Sequence, residues 1–170
     1  DTNISGNIIK ANVCVQAINT YANITLDSIH VSDNILSVLD DPGSYGPNHN
    51  GVYLNKNGGD ILYAQISNNY IQGGPSAAGN SFPINVIGGS LGINSVEVSN
   101  NTIQDGDIAI RLQNSRHSYI RGNFIESTTS TGILVYMTVS GVPARILTVV
   151  GNAIKGPDTA IKSFGFDNTE

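Results

Sequence analysis

A chain of 170 residues with net charge −5 and only 12% charged side chains, against roughly 25% in an ordinary globular domain, has length for one domain and a surface of neutral polar groups. Its eight Lys and Arg are scattered singly, which excludes a basic patch and nucleic acid as a partner; its one cysteine excludes an internal disulfide and any Cys-based zinc site. No stretch approaches the ~20 apolar residues of a bilayer span, so no membrane insertion is expected.

In chain order, one hexapeptide recurs six times. The copies begin at Ile4, Val31, Ile66, Val98, Ile120 and Val149, and each reads as a β-branched residue, a variable one, a small or turn-forming one, Asn, a variable one and an aliphatic. The Asn falls at 7, 34, 69, 101, 123 and 152, with gaps of 27, 35, 32, 22 and 29 residues, the pattern of a fixed rung with insertions of differing length. The amino terminus DTNISGNIIK is not a signal peptide and begins inside a repeat. The expectation is a single domain of stacked repeats, 1–170, that is a segment of a longer protein.

Between the copies run alternating stretches: Val13 to Ile18, Gly51 to Leu54, Pro83 to Ile87, Ala109 to Leu112, Gly132 to Tyr136 and Ala160 to Phe164. Period-2 alternation is the strand signal, and no window holds helical spacing long enough to compete. Each unit therefore reads as strand, turn, strand and loop, with parallel strands stacking from one unit to the next. The predicted fold is all-β, a solenoid of stacked parallel strands with about six rungs and an Asn ladder. Stacked Asn amides can hydrogen-bond along the ladder, and Asn tolerates the left-handed backbone a corner needs. The aliphatics Ile9, Leu36, Ile71, Ile103, Ile125 and Ile154 are expected to stack inside, and Cys14 to be a small packed thiol.

The repeated Asn-x-Ile turns resemble those of the right-handed parallel β-helix superfamily of pectate lyases, polygalacturonases, alginate epimerases and phage tailspikes, which implies that the solenoid is a single-stranded right-handed parallel β-helix. The resemblance implies a secreted, extracellular or virion-associated protein that recognises, and degrades or modifies, a polysaccharide. Its alternative is a non-catalytic structural or adhesive segment of a fibre. The implied partners are a polysaccharide and, to cover the ends of the column, sister subunits of a homotrimer or adjoining domains.

Aligning Gly51, Pro83, Ala109, Gly132 and Ala160 puts Tyr53, Asn85, Arg111, Leu134 and Lys162 in one outward column and Asn55, Ile87, Gln113, Tyr136 and Phe164 in the next. His49, Ser81, Asp107, Ser130 and Asp158 stand two residues before the anchor. Aromatic rings, neutral hydrogen bonders and an occasional charge suit a sugar polymer. Tyr45, Tyr53, Asn85, Gln113 and Tyr136 are the expected substrate-binding residues, and Asp107, His49, Arg111 and Asp105 the catalytic candidates. The strand before each Asn offers a blander face of His30, Gln65, Glu97, Tyr119 and Thr148.

Two loops enter the column, 40–50 and 73–81. In the first, Tyr45-Gly46-Pro47-Asn48-His49-Asn50 is loosely similar to the Tyr-Gly-x-Asp-Pro-His motif of mannuronan C5-epimerases, with the His one residue early and the Asp missing; a loop organised by Asp and Asn side-chain turns is the other reading. Asp105 to Arg111 is similar to the Asp-Asp-x-Ile-Ala-Ile-Lys segment of polygalacturonases, with Asp107 and Arg111 in place of the second Asp and the Lys. One rung later that family's Gly-His-Gly is Ser130-Thr131-Gly132 here, and turn capping is the competing role of Asp105 and Asp107. No cofactor is expected, apart from a calcium ion that Asp40 and Asp41 could hold with a neighbouring carbonyl.

Overall fold

The computed structural model describes residues 1–19, 25–39, 49–56, 60–74, 81–89, 92–126, 128–138 and 146–164. Among these there is no helix: eighteen strands form three parallel sheets of six, wound as a right-handed parallel β-helix. The first sheet holds β1 (Thr2–Ser5), β4 (Thr25–Ser32), β7 (Asp60–Ser67), β10 (Ile93–Ser99), β13 (Ser115–Arg121) and β16 (Ile146–Val150). The second holds the short strands β2 (Ile8–Ala11), β5 (Ile35–Val38), β8 (Tyr70–Gln72), β11 (Thr102–Gln104), β14 (Phe124–Glu126) and β17 (Ala153–Lys155). The third holds β3 (Val13–Asn19), β6 (His49–Lys56), β9 (Ser81–Gly88), β12 (Ile108–Gln113), β15 (Thr131–Tyr136) and β18 (Thr159–Phe164).

Each rung thus has three strands where the sequence suggested two. The hexapeptide straddles a corner: its first half closes a strand of the first sheet, and its last residues form a separate short strand in the second. The register carries every copy onto the next, as in Val98 opposite Ile66 and Ile120, and Ile103 opposite Ile71 and Ile125.

The Asn residues form the expected ladder. The Nδ2 of Asn7 donates to Oδ1 of Asn34 at 3.0 Å, and the pattern repeats from Asn34 to Asn69, Asn69 to Asn101, Asn101 to Asn123 and Asn123 to Asn152 at 2.8–3.0 Å. The second Nδ2 hydrogen is also used, as from Asn101 to the Ile66 carbonyl at 2.9 Å. The left-handed backbone falls on the residue before the ladder Asn: φ is 68° at Gly6, 59° at Asp33, 57° at Asn68, 56° at Asn100 and 64° at Gly122 and Gly151. This accounts for the motif's third position, where only Gly, Asn and Asp occur, since these residues carry the smallest penalty at positive φ.

Inside the column the apolar rows stack. Val31, Ile66, Val98 and Ile120 from the first sheet meet Leu36, Ile71, Ile103 and Ile125 from the second and Val52, Ile84, Ile110 and Ile133 from the third, all fully buried. Cys14 packs against this core, with its thiol directed at the carbonyls of Ile9, Ala11 and Ser37. Burial pushes that thiol's pKa up against the opposing pull of those backbone contacts.

Candidate functional site

The third sheet carries the expected outward columns in the expected register. Tyr53 lies opposite Asn85, Asn85 opposite Arg111, Arg111 opposite Leu134 and Leu134 opposite Lys162; Asn55, Ile87, Gln113, Tyr136 and Phe164 align in the same way. The anchor column does not share their face. Ala109 and Ile110 are consecutive and both belong to the core, and a Cβ on Gly51 would fall 2.5 Å from Cγ2 of the inward-facing Ile71. Two successive inward residues break strict alternation and kink each strand. The residue before the anchor is therefore brought to the outer face beside Tyr53, Asn85 and Arg111.

Phe82 shows this directly. It is excluded from the core cluster, and the Arg111 guanidinium carbon sits 4.9 Å from the centre of its ring. The same guanidinium lies 5.5 Å from the centre of the Tyr136 ring, so Arg111 is flanked by two aromatics. Its Nε donates to the Tyr136 hydroxyl at 2.9 Å, and that hydroxyl donates to Oε1 of Gln113 at 2.8 Å. Gln113 Nε2 in turn donates to Thr138 Oγ1 at 3.2 Å. Behind Tyr136, Phe164 stacks at a centroid distance of 5.0 Å and 22° between planes. Arg111 makes no ion pair with any described residue. Two rungs from Arg111, Asn55 Nδ2 donates to the Tyr53 hydroxyl at 2.7 Å.

The structure thus assembles Arg111, Gln113 and Tyr136, with Tyr53 further along the same face. Asn85 occupies its place in the column but is fully buried, and neither atom of its amide has a hydrogen-bond partner. His49 is set apart from this outer row. A Cβ on Gly74 would lie 3.7 Å from its Nδ1 and 3.5 Å from Val38, which places His49 at the corner with the second sheet, with its Nε2 buried and unpartnered. The kink explains the difference, since two residues before an inward anchor is no longer an outward position.

Asp107 and Asp105 are turn residues. Asp107 Oδ1 accepts from Thr129 Oγ1 at 3.2 Å, its amide donates to the Ser81 carbonyl and its carbonyl accepts from Ser130 and Thr131. Asp105 has φ 59° and its carboxylate accepts from Gln72 Nε2. No described hydrogen bond or ion pair joins Asp105, Asp107, His49 and Arg111 to one another. Tyr45, Asp40 and Asp41 lie outside the described residues. Among the described residues, no three His, Cys, Asp or Glu side chains converge as metal ligands would.

The residues missed from sequence are Asn50 and Phe82, which share a column immediately before the anchor. Their signal is the anchor itself. A column of Gly51, Pro83, Ala109, Gly132 and Ala160 is small because it faces inward at a corner; at Gly132 a Cβ would come within 2.7 Å of Ile154 Cγ2. A buried Asn114 was also missed: its φ of 55° turns β12 into β13, with Nδ2 on the Gly88 carbonyl at 2.8 Å and Oδ1 accepting from Thr138 N at 2.8 Å.

The outer face of the first sheet carries His30, Gln65, Glu97, Tyr119 and Thr148 in one register column. It is a self-satisfied network: His30 bonds Gln65 at 2.9 Å, and Glu97 accepts from Arg121 at 2.8 Å, Ser99 at 3.0 Å and Tyr63 at 3.1 Å. Burial alone would push the Glu97 carboxyl up, but those three donors together outweigh it and hold it below the usual carboxylate range. No protein-family model, curated protein or solved structure matches the chain.

Proposed function

We propose that this β-helix recognises a polysaccharide on the outer face of its third sheet, in an extracellular, secreted or virion-associated setting. The carrying observation is the Arg111–Tyr136–Gln113 cluster backed by Phe164: a charged donor without an acidic partner among the described residues, a neutral amide and a stacked ring pair on neighbouring strands. Phe164 is 46% exposed and offers a ring to a sugar, while Arg111 and Gln113 supply hydrogen bonds to its hydroxyls. Strands ~4.8 Å apart present such groups at a repeat that an extended glycan can follow across several rungs.

Recognition is favoured over cleavage because the carboxylates nearest in sequence, those of Asp105 and Asp107, are held by Gln72 and Thr129 in turns. The test is a glycan array followed by calorimetric titration of the tightest binder, with a viscosity assay on the same polymer. The expected result is binding by the wild type, at least tenfold weaker binding by Tyr136→Ala, and unchanged viscosity. Equal binding by the variant would remove the proposed surface. A fall in viscosity abolished by Asp107→Asn would instead make the protein a depolymerase.

A further inference from the structure

Buried polar atoms in a folded chain are almost always hydrogen-bonded, because a group that leaves water without a partner forfeits its solvent bonds for nothing. Among the described residues, the orphaned buried atoms concentrate on β6 and β9. Both the Nδ2 and the Oδ1 of Asn50, both of Asn85, the His49 Nε2 and the Ser81 Oγ lack a partner, and the two Asn residues are fully buried. The ladder amides in the same molecule are all satisfied, so unpaired amides are not a general feature of this chain.

Asn50 and Asn85 lie on adjacent strands of the kinked face, offset from each other by three residues. Asn50 stands opposite Phe82, and Asn85, three residues after Phe82 on β9, stands opposite Tyr53. Because the intervening pair of residues faces inward, Asn50 and Asn85 are on the same outer side as Phe82 and Arg111. Arg111 is beside Asn85 in the register, and its guanidinium sits over the ring of Phe82, three residues back on Asn85's own strand.

We propose that Asn50 and Asn85 form a subsite for the hydroxyl groups of a neutral sugar chain, entered when Arg111 swings off Phe82. The inference rests on the reading of this face as a polysaccharide surface and names the chemistry it selects. Each amide offers two donors and an acceptor with no net charge, the complement of a vicinal diol, whose hydroxyls both donate and accept. A carboxylate would find acceptor oxygens as well as donors in this pair and fit it less well.

The inference makes a test that binding alone could not. An amide left unsatisfied in the free protein and used only with sugar lowers the stability of the free state, so an apolar residue of similar shape raises stability while destroying the subsite. The probes are neutral gluco-, galacto-, manno- and rhamno-oligosaccharides beside uronate oligosaccharides, titrated against wild type, Asn85→Leu, the smaller Asn85→Val and Tyr136→Ala. The expected outcome is that the wild type binds a neutral oligosaccharide, and that both Asn85 variants bind it at least tenfold more weakly. At least one of the two should melt about 2–4 °C higher than wild type.

If Tyr136→Ala loses binding while both Asn85 variants bind as wild type, the polysaccharide surface stands and the subsite is overturned. If both Asn85 variants melt lower than wild type, the amide is satisfied by water in the free protein, and the subsite is overturned on that ground. Binding of uronate oligosaccharides alone overturns the neutral-sugar assignment, and binding of nothing overturns the surface and the subsite together.

Discussion

Asn101 commits its whole amide to its neighbours. Its Oδ1 accepts from both the backbone N and the Nδ2 of Asn69 at 3.0 Å, and its Nδ2 donates to the Ile66 carbonyl at 2.9 Å and to Asn123 Oδ1 at 3.0 Å. Truncation to Ala would remove these four hydrogen bonds and leave the buried Asn69 backbone N without its acceptor, at about 1–3 kcal/mol, while Asn123 Oδ1 keeps the Asn101 backbone N and Asn69 Nδ2 keeps the Val31 and Ser67 carbonyls. Asn101→Ala should therefore lose about 2–4 kcal/mol, read as a lower urea midpoint at unchanged slope. The same substitution at Asn7, exposed at one end of the ladder, should lose less than half as much. Gly132 makes a complementary point through space alone. An added Cβ would meet the Ala160 carbonyl oxygen and Ile154 Cγ2, each at 2.7 Å, so Gly132→Ala should cost about 1–3 kcal/mol by overpacking.

At the scale of the strand, the ladder and the kink show what a sequence makes legible. The Asn spacing and the flanking aliphatics announce the rung, because every rung must match the next in register and so repeats its residues. The inward anchor breaks the period-2 rule without breaking the repeat. Extending alternation through Gly51 therefore carried His49 to the outer face and hid Asn50 and Phe82. The turn between β11 and β12 holds Asp105 at φ 59° and Asp107 through Thr129, the capping role that the sequence set beside catalysis. On the first sheet, the Glu97 network gives a prediction in pH. The folded-state pKa of Glu97 is lowered, so the stability it contributes is present above the unfolded value near 4.5 and is lost as pH falls through the folded value. Glu97→Gln should thus flatten the acid limb of the stability curve below about pH 4.5 and leave the neutral region's slope unchanged, measured by urea melts across pH. An acid limb as steep as that of wild type would mean that the three donors do not bias its titration.

For the molecule as a whole, the absence of helices among the described residues and the pairing of each strand only with its counterparts above and below make stability a sum over neighbours. Ile71 and Ile103 are fully buried and directly opposite one another, while Leu36 and Ile125 are three rungs apart, roughly 14 Å at the strand spacing. Side chains in contact share a cavity when both are shortened, whereas sites more than about 7–10 Å apart add to within about 0.3–0.5 kcal/mol. Ile71→Val with Ile103→Val should therefore show a coupling of at least about 0.5 kcal/mol in a double-mutant cycle, from single losses of about 0.5–1.5 kcal/mol each. Leu36→Ala with Ile125→Val should be additive within error, although both residues line the same core. Coupling of equal size in the two cycles would show that strain spreads along the column rather than stopping at the adjacent rung, and the nearest-neighbour picture would fail. Additivity across three rungs would also mean that substitutions on the Arg111 and Tyr136 rungs leave the Asn7–Asn34 end of the ladder undisturbed, so that losses of sugar binding there can be read as local.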